Sequence, residues 1–136
     1  MTIDSIIKEA EALPVNEQRE LMLRLQSSVL KGANSRRRYE TLRSAAAAAM
    51  NVDNIEGGNR VHERVWARYL VSWQMRMEGY TLSEIGRCIQ RDHSTVVHGI
   101  AEINNVVENP ECYPAGAAAI REFIRIIKES EQTEHA

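Results

Sequence analysis

The stretch that most constrains this chain is residues 81–103, which has the pattern of two short helices joined by a tight turn. Thr81 followed three residues later by Glu84 is a capping-box pattern, and it predicts a helix start because each side chain satisfies the other's backbone amide. The apolar residues that follow recur at helical spacing, and Gly86 removes side-chain bulk where a second helix would cross closely. The polar turn at 90–92 then ends the apolar pattern, so the first helix is expected to be short.

The second helix of this stretch is expected to begin near His93, with Asp92 as its N-terminal cap. Its predicted buried stripe consists of Val96, Ile100, Ile103 and Val107. The polar residues of its N-terminal end therefore lie on other faces of the helix. Two helices arranged in this way form a helix-turn-helix, in which the start of the second helix enters the major groove of DNA.

A specific string within this stretch carries a family resemblance. Ile85-Gly86, followed by Arg-Asp-His-Ser-Thr-Val at 91–96 and then by His98, resembles the C-terminal DNA-binding domain of the bacterial replication initiator family DnaA. The resemblance covers about residues 39–127 and implies an all-α helix-turn-helix domain that binds duplex DNA, in replication control or transcriptional regulation. The chain has no GxxxxGKS or GxxxxGKT string, so it lacks the ATPase module of that family.

The resemblance also implies roles for individual residues of the motif. The residues that match base-facing positions of the family are Asp92, His93 and Ser94. The residues for which we predict contacts with DNA phosphates are Arg64, Leu82, Ser83, Arg91, Thr95 and His98. The side-chain chemistry agrees, because hydroxyl and imidazole groups can meet base edges and a helix start rich in free amides suits a phosphate.

The sequence departs from the family pattern at four places, one of which is that the helix before Thr81 is about one turn longer than in many members. Gln90 alone stands before the Arg-Asp-His string where many members have two glycines, which shortens the turn by one residue. Ser94 stands where threonine is usual, and it lacks a methyl group that could touch thymine. The loop at 55–59 lacks the basic character it has in the family, so Arg60 is the only nearby candidate for a minor-groove contact.

Net charge gives mixed support to DNA binding. The chain carries a charge of −2, whereas DNA-binding proteins usually have a basic excess at least on the contacting face. Between Arg60 and Arg91, however, six arginines stand against three glutamates, a local charge of +3. The alternative to a DNA-binding protein is therefore a protein-interaction module that keeps the helix-turn-helix fold and has lost its affinity for DNA.

A predicted helical hairpin precedes the helix-turn-helix domain. Residues 3–30 carry two apolar helical patterns that are interrupted at Leu13-Pro14, and Asn16 can cap the second helix. A hairpin of this size is too small to be stable alone. Two interpretations remain open: the hairpin packs on the main domain or is loosely held, or its broad apolar face forms a homodimer or docks a protein partner.

Glycines, prolines and changes in polarity divide the chain into four predicted segments. They are a helical hairpin at 1–31, a linker at 32–38, a DnaA C-terminal-like helix-turn-helix domain at 39–129 and a frayed polar tail at 130–136. Helices of the domain that flank the motif are expected at 39–50, 60–78 and from about 115. The helix that ends before Gly79 is predicted to be the longest in the chain.

Catalytic and metal-binding roles have little support in the sequence. His93 and His98 lie five residues apart and point about 140° apart on a helix, so they cannot share a metal ion. No dyad or carboxylate pair has a spacing that fixes a reaction, so we expect neither an enzyme nor a cofactor. Cys88 and Cys112 are expected to be free thiols. Because it has no long apolar run, the chain is expected to be cytoplasmic, with no membrane partner.

Overall fold

The computed structural model describes the backbone of residues 2–56 and 61–134, and it leaves out the side chains at 26–33, 61, 133 and 134. The described chain forms six α-helices: α1 (Ile3–Glu11), α2 (Val15–Met50), α3 (Val61–Met77), α4 (Leu82–Ile89), α5 (His93–Glu108) and α6 (Pro114–Glu134). No strand occurs among these residues, so the predicted all-α fold class is confirmed. None of the described helices is both long enough and apolar enough to cross a membrane.

The chain divides into two compact units, an N-terminal unit of residues Met1–Asn34 and a C-terminal unit of residues Ser35–Ala136. The N-terminal unit opens with a capping box, in which Ser5 N donates to Thr2 Oγ1 at 3.1 Å and Thr2 N donates to Ser5 Oγ at 3.0 Å. These two bonds fix the start of α1 although no residue of this helix is buried.

The break between α1 and α2 lies at Pro14, as predicted. Gln18 closes it, because its Nε2 donates to the carbonyl oxygens of Glu11 at 3.0 Å and Leu13 at 2.8 Å and satisfies acceptors at the end of α1. The prediction that Asn16 caps α2 is wrong, since the helix begins one residue before it. Proline has a fixed φ that suits entry into a helix, and the Pro14 carbonyl already accepts from Gln18 N at 2.9 Å.

The helix end and the linker predicted at 32–38 are wrong, because α2 continues through this segment to Met50. The prediction rested on Gly32 as a C-cap, but a glycine inside a helix costs only about 1 kcal/mol relative to alanine. The arginines at 36–38 and the alanines at 45–49 are strong helix formers and offset that cost. The division into domains at these positions stays a prediction.

The C-terminal unit has a core to which α2, α3, α4, α5 and α6 all contribute. Its fully buried apolar side chains include Phe123, Leu42, Ile55, Leu70, Met75, Ile85, Ile103, Val71 and Val96. The alanines at 45–47 are buried as well, and their small side chains allow close packing against α2. Because α3 packs on both α4 and α5, it braces the two helices that form the helix-turn-helix.

The helix before the motif ends where the sequence predicted. α3 stops at Met77, and Gly79 adopts a φ of +97°, the left-handed conformation that glycine adopts without steric cost. The prediction that α3 is the longest helix of the chain is wrong. The predicted linker is helical, and α2 therefore has 36 residues.

The polar tail predicted to fray from residue 130 is instead helical to Glu134, so that prediction is wrong. An ion pair explains part of the difference. Arg38 on α2 binds Glu131 at 2.9 Å and also Glu78 at 2.7 Å, and so ties the end of α6 to the end of α3. Because Arg38 is partly buried, dissolved salt screens these ion pairs less than it screens fully exposed ones.

The two cysteines are free thiols in different environments. Cys88 on α4 is buried, its Sγ donates to the Ser35 carbonyl oxygen at 3.8 Å, and burial raises the pKa of the thiol. Cys112 lies exposed in the segment between α5 and α6.

Candidate nucleic-acid interface

The first helix of the motif, α4, begins with the predicted capping box. Glu84 N donates to Thr81 Oγ1 at 3.1 Å, and Thr81 N donates to Glu84 Oε1 at 3.4 Å. Ile85 and Ile89 are buried and Leu82 is partly buried, so the predicted apolar face of this helix is confirmed.

The turn after α4 is built on one glycine and one left-handed residue. A Cβ added to Gly86 would lie 2.9 Å from the carbonyl oxygen of Arg91, so only glycine fits where the chain doubles back. Gln90 adopts φ 57° and ψ 47°, and Arg91 N donates to Gly86 O at 3.0 Å. This left-handed cap lets a turn shortened by one residue still close.

The second helix of the motif, α5, begins at His93 with Asp92 as its cap, as predicted. Asp92 Oδ1 accepts from Thr95 N at 2.9 Å and from Ser94 Oγ at 3.2 Å. Hydrogen bonding to Thr95, and then to Ser94, holds the pKa of the Asp92 carboxyl below its usual value. The start of the predicted recognition helix is thereby fixed by local bonds.

The buried face of α5 differs by part of a turn from the predicted stripe. Val96 and Ile103 are buried as expected, but the other buried positions are Gly99 and Val106. Val107, which had been predicted to be buried, is 48% exposed. A Cβ at Gly99 would come within 2.4 Å of the Tyr69 ring, so α3 approaches α5 at Gly99 and turns that face toward the core. Ile100 is only partly buried in consequence.

A cleft lies between α4 and the start of α5, and we call it the turn cleft. It is lined by Leu82, Ser83, Gly86, Arg87, Gln90, Arg91, Asp92 and His93. Five of the predicted DNA-contacting residues therefore line one surface feature. His93 is exposed there, and Arg91 partly stabilises the turn because its Nη1 donates to Gln90 O at 2.9 Å.

The other predicted residues of α5 lie outside the lining of this cleft. Ser94 and His98 are exposed and Thr95 is partly exposed, all in the first turns of the helix. The His98 ring stands edge-on to Tyr69, with 5.8 Å between ring centroids and 82° between planes. This contact with α3 limits the orientations that the His98 imidazole can adopt.

The two arginines predicted for the backbone and the minor groove have different outcomes. Arg64 on α3 is partly buried, and its Nε is buried without a hydrogen-bond partner among the residues that the structure describes. Arg60 lies outside the described residues, so the prediction of a minor-groove contact there is not tested.

Two residues of the turn cleft were missed by the sequence reasoning, Arg87 and Gln90. Both were noted in the sequence, the first as part of the local charge and the second as a departure from the family pattern. The signal that could have found them is spacing, since Ser83, Arg87 and Gln90 follow one another at intervals of four and three residues. On a helix this spacing puts them on one face.

The arginines around the motif form no ion pair within the described chain, in contrast to arginines elsewhere in the C-terminal unit. Those at 64, 68, 76, 87 and 91 have no carboxylate partner there, whereas Arg38, Arg43 and Arg125 each bind two glutamates. Four of these arginines donate to backbone carbonyls instead: Arg68 to Ile55, Arg76 to Tyr80, Arg87 to Ser83 and Arg91 to Gln90. Among the described residues, the positive charge near the motif is thus left without an ion-paired carboxylate. The described residues contain no group of potential metal ligands.

Comparison with known families agrees with this geometry. Residues 40–103, just under half of the 136 residues, match the family described as bacterial dnaA protein helix-turn-helix. The helix-turn-helix of this chain is of the DnaA type. The matched segment runs from α2 into α5 and includes the whole turn cleft, and a DnaA-type helix-turn-helix indicates DNA binding. No curated protein and no solved structure matches the chain significantly.

Proposed function

We propose that this protein binds duplex DNA in a sequence-specific manner, with the start of α5 in the major groove. The observation that carries the proposal is the exposed start of a DnaA-type recognition helix beside a cleft whose arginines have no carboxylate partner in the described chain. We propose a binding role and no catalysis. In this proposal the protein acts on DNA in the cytoplasm and controls either replication or transcription.

In this proposal His93, Ser94 and Asp92 face the bases. His93 and Ser94 are exposed and offer ring nitrogens and a hydroxyl to base edges. Asp92 Oδ1 accepts the capping bonds from Thr95 N and Ser94 Oγ, and the residue is exposed at the start of α5. A carboxylate at this position can accept a hydrogen bond from the amino group of cytosine in the major groove.

Phosphates of the DNA backbone are the proposed partners of Leu82, Ser83, Arg91, Thr95, His98 and Arg64. The first two stand at the start of α4, where backbone amides have no intrahelical partner. A phosphate there binds to donors that the fold holds in place. Since few arginines are involved, we expect modest affinity. Because the proposed contacts are to phosphates, we also expect the affinity to fall as salt rises.

The test is a fluorescence-anisotropy titration of the full chain with a duplex that contains a DnaA box and with a scrambled duplex, each at two salt concentrations. We expect tighter binding to the box and a loss of affinity for both duplexes as salt rises. Absence of binding to any duplex at low salt would overturn the proposal and favour a protein-interaction module. Mapping of the bound sites on the chromosome to a replication origin or to promoters then tells the two cellular roles apart.

A second proposal concerns assembly. We propose that the apolar face of the N-terminal unit binds a second copy of this chain. Met22 and Leu25 on α2 are 61% and 58% exposed, and α1 buries none of its residues. Two N-terminal units with such faces can bury them against each other as a helical bundle. A dimer would also present two recognition helices, which raises the affinity of a weakly basic protein by multivalency.

Light scattering of the full chain at defined concentrations tests this assembly. We expect a dimer that becomes a monomer in the double variant Met22→Asp and Leu25→Asp. Met77→Asp is a matched control, because Met77 is 69% exposed in the C-terminal unit and should leave the dimer intact. A wild-type chain that is monomeric at every concentration overturns the proposal.

A further inference from the structure

We propose that Arg87 and Gln90 bind a DNA phosphodiester group in the turn cleft, as contacts additional to those already assigned. The inference rests on the proposed DNA-binding function and deepens it. It adds a second cation and a neutral amide to a cleft in which only Arg91 and residues at the starts of α4 and α5 had been assigned DNA contacts.

The first argument is the placement of three polar side chains along one face. Ser83, Arg87 and Gln90 line the same cleft, and the start of α5 with Asp92 and His93 forms its other side. A DNA strand whose bases meet His93 has its backbone next to that residue. The phosphates of this strand are therefore within reach of the opposite wall, which Arg87 and Gln90 supply.

The second argument is the state of the Arg87 side chain. Its Nε donates to the Ser83 carbonyl oxygen at 3.4 Å, which holds the guanidinium along the helix toward the cleft's Ser83 end. Within the described part of the chain it forms no ion pair, and its remaining N–H groups are without acceptors. A guanidinium with free donors in a fixed fork suits two phosphate oxygens.

The third argument is the conformation of Gln90. Its φ of 57° lies in the left-handed region, which glycine adopts at no steric cost and other residues adopt with strain. The residue is exposed and makes no hydrogen bond to any described residue, and it lines both the turn cleft and a neighbouring pocket beside Arg36 and Glu40 of α2. A strained residue with a free amide beside a binding surface points to a role in binding.

The charge of the cleft also favours an anion. Its charged side chains are Arg87, Arg91 and Asp92. Asp92 accepts hydrogen bonds from Thr95 N and Ser94 Oγ, which lie on the α5 side. The lining therefore carries a net positive charge, and Ser83 and Gln90 add neutral donors. A phosphodiester, with one negative charge and two acceptor oxygens, fits this set.

Gln90→Gly is the sharpest test, because folding and binding should change in opposite directions. We expect the melting temperature to rise by on the order of 4 °C as the left-handed strain is relieved. We expect affinity for the box and the scrambled duplex to fall together by roughly threefold. A variant that is more stable and binds both duplexes like the wild type overturns the role of Gln90. So does a loss confined to the box, which would indicate base reading.

Arg87→Ala tests the cation. We expect affinity for both duplexes to fall by roughly tenfold and the slope of log affinity against log salt to decrease by about one. Arg121→Ala is the matched control, since Arg121 is an exposed arginine on α6 outside the cleft lining. An equal loss of slope in both variants, or none in Arg87→Ala, overturns the assignment. If the wild-type chain binds no duplex at all, the proposed function itself fails, which is a separate outcome.

Discussion

The two compact units differ in where they place large apolar side chains. In the N-terminal unit, the exposed ones are Ile3, Ile6, Ile7, Leu13, Val15, Leu21, Met22, Leu23 and Leu25. The C-terminal unit is about three times as long and exposes only Met77, Val97, Val107 and Tyr113 among its described residues. The C-terminal unit thus encloses its own core, while the N-terminal unit leaves apolar surface available for binding.

The largest expected effect compares the same substitution, leucine to alanine, at a buried and at an exposed position of α2. Leu42 is fully buried and Leu23 is 60% exposed, and both lie on α2. Leu42→Ala should lower the free energy of unfolding by about 2–5 kcal/mol, because it removes buried methyl groups and leaves a cavity. Leu23→Ala should change it by less than about 0.5 kcal/mol. Urea unfolding followed by circular dichroism measures both, and equal losses would contradict the comparison.

The next effect concerns glycines and should differ in sign between the units. Gly86→Ala in the C-terminal unit should destabilise by about 1–3 kcal/mol, because the added Cβ meets the Arg91 carbonyl oxygen. Gly32→Ala in the N-terminal unit should stabilise by up to about 1 kcal/mol, since the backbone of α2 is helical there. Thermal melts of both variants decide the point. A destabilised Gly32→Ala variant would show that helix continuity through 32 is wrong.

DNA contacts should belong to the C-terminal unit alone. His93→Ala should cost about 1–3 kcal/mol of binding free energy on the box and reduce the preference for box over scrambled DNA. Arg64→Ala should weaken binding to both duplexes alike and lower the salt slope by about one. Arg24→Ala in the N-terminal unit, where Arg24 pairs with Glu20, serves as the control without effect on the slope.

The base-reading role of His93 has a specific contrary outcome. If His93 only supports the cap beside Asp92, its removal lowers the melting temperature and leaves the preference between duplexes unchanged. Anisotropy titrations and melts on the same preparation separate the two results.

The smallest expected effect is a difference in pH dependence between the helix caps of the two units. Asp92 caps α5, and its pKa is lowered from the ordinary value of 3.8 in the folded chain. A lowered folded-state pKa means that the stabilisation is present above pH 3.8 and is lost as pH falls through the folded value. The cap of α1 uses Thr2 and Ser5, which do not titrate. Asp92→Asn should therefore weaken the acid dependence of the melting temperature, and an unchanged profile would contradict this.

Features that depend on neighbouring residues in the chain were predictable from sequence. The caps at Thr81 and Asp92 and the helix end at Gly79 need only local hydrogen bonds and backbone preferences, and all three are confirmed. The linker at 32–38 was not predictable from Gly32, because helix continuation is decided by a sum over many residues.

Features that depend on tertiary approach were the ones missed. The rotation of the buried face of α5 from Val107 to Val106 follows from the contact between Gly99 and Tyr69, which are 30 positions apart in the chain. The turn cleft required the angle between α4 and α5, which no spacing gives, so Arg87 and Gln90 were not assigned to it. Contacts with DNA at the candidate site residues stay predictions.

The burial of Cys88 has a practical consequence for following the motion of α4. Because its thiol is buried, has a raised pKa and bonds to the Ser35 carbonyl, we expect an alkylating reagent to modify it mainly when α4 moves away from α2. Cys112 is exposed and should react quickly, so it is removed by the substitution Cys112→Ser. In that variant the labelling rate of Cys88 measures how often the helix-turn-helix opens locally. A bound duplex that holds the turn in place should lower this labelling rate, so the native Cys88 thiol can report how much of the protein is bound to DNA.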